Sequence, residues 1–254
     1  MKIPPFIMTI FCNIINKICP SYKVGRPRLT NDEYILKNIF KILRTGMQWR
    51  ELDTIHLSPK TINNYFNKWS RLNIFSEAYK YLIRLLYHKK KTIKSAYYIT
   101  DTSFIKSIFG IDVIGKNPTD RGRNASKISV VVDDNGIPLS ISLYPGNRND
   151  CILLKETLNN MIVTSKKRKN LYADKGYDSK NCRTILYDYG YNDFILKRGE
   201  CNKIYSGIRV LVERFFSWMK LYRRLIVRYD KLASNYLQYC YMAFSVLVYN
   251  KTNV

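Results

Sequence analysis

Between residues 22 and 94 the apolar positions recur at helical spacing. Ile35, Leu36, Ile39, Phe40 and Leu43 fall on one face of a helix. Thr30, with Glu33 three residues on, predicts a capping box at its start, and Gly46 supplies the stop. After a short Trp49-Arg50-Glu51-Leu52 element, Ser58-Pro59-Lys60 predicts a second helix with proline in its first turn. There Ile62, Tyr65, Phe66 and Trp69 face inward, while Lys60, Asn63, Asn64, Asn67 and Lys68 face outward. That polar face suits phosphates and base edges. On this segment alone, a helix-turn-helix module and an ordinary helical domain with a solvated face both remain open. Residues 1–20 carry another short helical pattern ending at Pro20.

From residue 96 the period changes. Residues 96–100 form a β-prone run ending at Asp101, and 127–132 form a second. Asp134-Asn135-Gly136 predicts a hairpin turn into a third strand over 138–144. Residues 151–162 suit a helix, 170–173 a strand ending at Asp174, and a helix begins near Ser179. A short strand at 193–196, a helix over 208–226 carrying Glu213 and Lys220, and an apolar helix over 234–249 complete the pattern. A hairpin followed by strand–helix units predicts an α/β fold, a mixed sheet flanked by helices, preceded by a small all-α domain. The expected division is residues 1–94 and 95–254.

Composition narrows the function. The 254 residues carry 43 Lys and Arg against 19 Asp and Glu, a net charge of +24. Of this, +13 falls on residues 1–94, the distribution expected of a DNA-gripping module joined to a catalytic body. Such an excess calls for a polyanion, nucleic acid first; an AT-rich coding bias, which inflates Lys, Asn, Ile and Tyr, is the alternative source. With 46% hydrophobic residues, wholesale disorder is excluded. No apolar run approaches the ~20 residues that span a bilayer, so no membrane partner is expected. The six cysteines include no C-x-x-C pair and there are two histidines, which argues against a zinc site. Asn13 and Asn16 interrupt the N-terminal apolar stretch, and no small-residue cleavage site follows. The chain is therefore expected to be intracellular rather than secreted.

Three carboxylates stand out. Asp101 and Asp174 each follow a β-prone run, at the strand end where open α/β sheets bind ligands. Glu213 lies on a helix among basic and aromatic residues. Carboxylates without histidine suit Mg²⁺ or Mn²⁺, and two such ions can activate water or a 3′-hydroxyl in phosphodiester cleavage and transfer. Spacing alone does not separate these three acids from the other sixteen.

Several motifs in one order resemble an insertion-sequence transposase of the DDE type, over about residues 18–250. Gly25-Arg26-Pro27-Arg28, Leu43-Arg44-Thr45-Gly46 and Trp49-Arg50 resemble the family's DNA-binding domain. The stretches 117–123, Gly136-Ile137-Pro138-Leu139 and Gly146-Asn147-Arg148-Asn149-Asp150 follow in family order. Ala173-Asp174-Lys175-Gly176-Tyr177-Asp178 resembles the second-aspartate motif. Residues 212–218, continuing to Arg223-Arg224 and Tyr229-Asp230-Lys231, resemble the third. The resemblance implies an RNase H-like catalytic domain with Asp101, Asp174 and Glu213 as catalytic and metal-binding residues, holding two Mg²⁺ (or Mn²⁺) ions. It implies DNA contacts by Arg209 and Lys220, which match the family's glutamate-helix signature; its tyrosine position holds Ser206, with Tyr205 one residue early. Arg26, Arg28, Arg121 and Arg123 join Lys60, Asn63, Asn64, Asn67 and Lys68 as expected DNA-binding residues, with Arg148 a further candidate. The implied reaction is strand cleavage at element ends and strand transfer, on double-stranded DNA carrying terminal inverted repeats and on target DNA, by a homodimer. The alternatives are a domesticated or decayed copy acting as a non-catalytic DNA-binding regulator, and a host nuclease.

Overall fold

The computed structural model describes residues 3–20, 30–89, 95–165, 167–197 and 203–252. In chain order the elements are α1 (Pro5–Ile18), α2 (Asp32–Thr45), α3 (Pro59–Arg71), α4 (Ile74–Arg84), β1 (Tyr97–Ser107), β2 (Gly115–Lys116), β3 (Asn124–Asp133), β4 (Pro138–Pro145), α5 (Asp150–Asn159), β5 (Lys169–Ala173), α6 (Lys180–Asp188), β6 (Tyr191–Ile195), α7 (Lys203–Met219), α8 (Arg223–Ile226) and α9 (Ala233–Thr252). They form two compact units, one of residues 1–82 with 220–254, the other of residues 83–219. The single boundary expected at 94/95 differs from this division, because the last helices are gathered with the first ones.

In the first unit α2 buries the stripe read from its sequence, with Ile42 added. Its N-cap is Asn31, whose side chain accepts from the Tyr34 N–H at 2.9 Å, so the Thr30 capping box does not form. Gly46 closes the helix in the left-handed region at φ 70°, a conformation only glycine adopts without cost. Ser58 caps α3 as expected, accepting from the Thr61 N–H at 3.1 Å. The connection over 46–58, with a 3-10 turn at Trp49–Glu51, exceeds the about 3–4 residues of a tight helix-turn-helix. Phe66 of α3 stacks on Tyr239 of α9 at 4.2 Å and lies against Trp49 and Phe75. Helix α9 is apolar nearly all round and buries Tyr236, Tyr239, Met242, Phe244 and Val246; a helix of that pattern belongs inside a core. Among its polar anchors, Gln238 accepts from the Phe75 and Ser76 N–H groups at 3.1 Å each.

In the second unit the sheet runs β4–β3–β1–β5–β6, with β2 continuing β4's edge of β3. Pairings β1–β3 and β3–β4 are antiparallel, and β1–β5 and β5–β6 are parallel. Three antiparallel strands continued by two parallel ones make the expected mixed, RNase H-like sheet. Strand β3 is buried along nine of its ten residues, as a central strand covered on both faces must be. The hairpin turns at Gly136 (φ 66°), and the buried Asp133 carboxylate fixes it by accepting from the Asn135 and Ile137 N–H groups at 3.0 and 2.7 Å. Among the described residues no helix is long and apolar enough to cross a membrane.

Candidate active site

The parallel register decides where the two aspartates lie. Thr100 of β1 pairs with Ala173 of β5, so Asp101 and Asp174 are the next residues along two adjacent strands. Strand β1 does not stop at Asp101, as its sequence suggested, but runs on to Ser107. Continued antiparallel pairing with β3, Asp101 opposite Val130, carries it past the carboxylate. Asp174 does end its strand; its side chain accepts from the Gly176 N–H at 2.7 Å and caps the turn at Lys175–Tyr177.

Asp101 is mostly buried and accepts from the Thr102 N–H at 2.8 Å. Burial pushes its carboxyl up to about 6. The Thr102 hydrogen bond opposes this, the Asp174 charge adds to it, Arg209 opposes it, and Asp150 adds a little more. Asp150 opens α5 and was legible only as the last letter of a motif. Its Oδ1 accepts from Thr102 Oγ1 and from Lys127 Nζ, each at 3.0 Å. Lys127 is almost wholly buried, donates also to the Arg148 carbonyl at 2.7 Å, and sits over the Phe104 ring at 4.8 Å. Thr102 thus links the acids, its N–H on Asp101 and its hydroxyl on Asp150. A Cβ at Gly176 would stand 2.8 Å from Asp174 Oδ1 and 3.4 Å from Asp150 Oδ2, so that glycine keeps the gap between them open. Tyr177 is fully buried, and its hydroxyl is held well above its ordinary value by burial first and then by the charges of Asp150, Asp101 and Asp174.

Helix α7 lies along β1, with Arg209 within electrostatic reach of Asp101. Glu213, one turn on, pairs with Arg209 at 3.0 Å and stays more than half exposed. Among the described residues no group of three or more His, Cys, Asp or Glu side chains is arranged to hold a metal ion. The parallel register brings Asp101 and Asp174 together, and Glu213 is engaged by Arg209, the guanidinium one turn back on the same helix face. The helix expected over 208–226 stops at Met219, leaving Lys220 exposed in the turn beyond it.

Two family models match the chain. "Transposase DDE domain" covers residues 88–250, and "Putative transposase of IS4/5 family" covers residues 11–79. The chain belongs to the DDE transposase family. A curated relative, "Putative transposase for insertion sequence element IS402" of Burkholderia cepacia, is 36% identical over 127 residues, 47% of this chain and 60% of that protein. Among solved structures, a piggyBac transposase synaptic complex with hairpin DNA aligns at a TM-score of 0.49 and 11% identity, over 96% of this chain and 73% of that one. A pre-cleavage Mos1 transpososome aligns at 0.30 and 11%, over 91% and 82%.

The residues expected to touch DNA lie on several elements. Lys60, Asn64 and Lys68 are exposed on α3. Asn63 and Asn67 are half-buried; the Asn67 amide donates to Asn63 at 3.3 Å and its oxygen accepts from Asn235 at 2.9 Å. Two of the five residues of the polar face read from α3 are thus engaged inside the unit. Arg121, at φ 48°, Arg123 and Arg148 are exposed in loops of the second unit. Arg26 and Arg28 lie outside the described residues.

Proposed function

We propose that this chain is an active transposase, cleaving DNA strands at the ends of a mobile element and transferring the freed 3′-OH into target DNA. The observation that supports this most is the β1–β5 register, which sets Asp101 beside Asp174, together with the raised Asp101 carboxyl. A carboxylate that burial and a neighbouring acid disfavour as an anion, beside a second carboxylate, is a fitting cradle for a hard cation. The donor set fits Mg²⁺ or Mn²⁺, because oxygen is the only donor and histidine and thiolate are absent from it. When bound, such ions supply Lewis acidity at the scissile phosphate and lower the pKa of the attacking hydroxyl or water. Asp101 and Asp174, with Glu213, would hold the ions, and Thr102 keeps the Asp101 carboxylate oriented. Arg209 and Lys220 then neutralise phosphates flanking the cleaved bond. The exposed Lys60, Asn64 and Lys68, with Arg26, Arg28, Arg121 and Arg123, carry the remaining DNA contacts, to terminal inverted repeats and target. Pairing two ends calls for a homodimer on DNA, inside the cell.

A second reading is a decayed copy that binds DNA as a regulator without cleaving it. The Arg209–Glu213 pair and the Ser206 in place of the family tyrosine favour it. Nicking of a supercoiled plasmid carrying the element's ends, with and without Mg²⁺, separates the two. Metal-dependent nicking by the wild-type chain, lost in Asp101→Asn with DNA binding retained, is the expected result. Nicking by Asp101→Asn at the wild-type rate overturns the assignment.

A further inference from the structure

A cleft in the first unit plays no part in the reaction above. Its volume is about 900 Å³, with Met8 and Phe40 among its apolar walls, and Lys37, Lys41, Arg44 and Arg223 around it. Lys37, Lys41 and Arg44 recur at i, i+4 and i+7, so one face of α2 presents all three. No carboxylate is among the lining residues; Glu33, paired with Lys37 at 2.7 Å, lies one turn back. The α2 dipole favours cations near its C-terminus, which accounts for Lys41 and Arg44 but not for Arg223, delivered by α8 from the far end of the chain. Glycine allows that delivery: a Cβ at Gly46 would stand 3.1 Å from Arg223 Cβ and 3.3 Å from its carbonyl carbon. The fold therefore presses a second arginine-bearing backbone against the end of α2, gathering like charges around an apolar floor. A low-dielectric cleft lined by one sign of charge focuses its field on an anion.

We propose that this cleft is a DNA-backbone site, separate from the polar face of α3, in which Lys41, Arg44 and Arg223 each hold a phosphate of one strand. Helix α2 rises about 4.5 Å from Lys41 to Arg44 at about 1.5 Å per residue, close to the about 3.4 Å by which a strand advances per nucleotide. These two side chains therefore match successive phosphates, and Arg223, beside Gly46, adds a third. The tertiary structure brings together two sequence motifs far apart in the chain, Leu43-Arg44-Thr45-Gly46 and Arg223-Arg224. Taking DNA as the occupant rests on the transposase reading.

The test is the salt dependence of duplex binding by the full chain, in EDTA so that cleavage plays no part, from 50 to 200 mM salt. Each phosphate left without its cation makes the log–log slope shallower by about 0.9, so Lys41→Ala/Arg223→Ala should flatten it by about 1.8 and weaken binding about tenfold or more at the low-salt end. Lys17→Ala/Lys80→Ala removes the same charge from other helices of the unit and should leave the slope unchanged. Lys41→Arg/Arg223→Lys keeps the charges and should keep the slope. An unchanged slope in the alanine pair, or an equal flattening in either control pair, overturns the proposal. Cleavage by Asp101→Asn would sink the active-site assignment and leave the cleft standing; absence of any DNA binding by the wild-type chain would sink both.

Discussion

Replacing Asp101 by Asn should stabilise the protein while abolishing strand cleavage. The folded carboxyl titrates at about 6, against about 3.9 in an unfolded chain. For an acid raised on folding the sign is fixed: below about pH 4 both states are protonated and folding carries no penalty from this group. Between about pH 4 and 6 the unfolded chain ionises first, so stability falls as pH rises. Above about pH 6 the full cost stands, about 2–3 kcal/mol at about 1.36 kcal/mol per pH unit. Asparagine carries no charge to desolvate, and its carbonyl still accepts the Thr102 N–H. At pH 7.5, without divalent cation, Asp101→Asn should therefore unfold several degrees higher, at about 2–4 °C per kcal/mol for a body of this size. At pH 4 the two proteins should melt together. Adding Mg²⁺ at about a hundred times its Kd should stabilise the wild type by about 2.7 kcal/mol and the variant by much less. Thermal melts of both proteins at the two pH values, with and without Mg²⁺, make the comparison. A variant less stable than wild type at pH 7.5, or a difference that does not shrink on acidification, would refute the burial-and-repulsion account of this site.

The glycine between the aspartates is the next point of leverage. Gly176→Ala puts a methyl 2.8 Å from Asp174 Oδ1, so cleavage should fall at least tenfold and need more Mg²⁺, while duplex affinity stays within about twofold; a Mg²⁺ titration of nicking alongside a binding isotherm reads both. Asp150→Asn strips Lys127, 8% exposed, of its counterion and should cost about 3 kcal/mol, the usual penalty for orphaning a buried charge. Denaturant melts should show most of that recovered in Asp150→Asn/Lys127→Met, and a strictly additive double variant would deny the pairing. Because Asp150 also holds the Thr102 hydroxyl, cleavage by the recovered double variant should remain below wild type, which a purely structural pair would not produce.

Local chemistry settled much of this protein before any folding was known. The α2 stripe, the Gly46 stop, the Ser58 and Ser179 caps and the Gly136 hairpin each lie within a few residues of their cause, and each appears where the sequence puts it. The charge excess and the motif order were likewise enough to point to DNA and to the transposase family. The tertiary structure alone decided that Asp101 lies within β1 rather than at its end, since pairing with β3 is a contact between distant segments. It also decided that Asp150 is linked to Asp101 through Thr102 and held by Lys127, which no spacing along the chain reveals. Contacts between distant segments likewise place α9 in the core of the N-terminal helices and divert Asn67 to Asn235. Backbone propensity and capping act over one turn of chain and are written in the sequence; which carboxylates become neighbours depends on sheet register and helix packing, set only when the whole core closes.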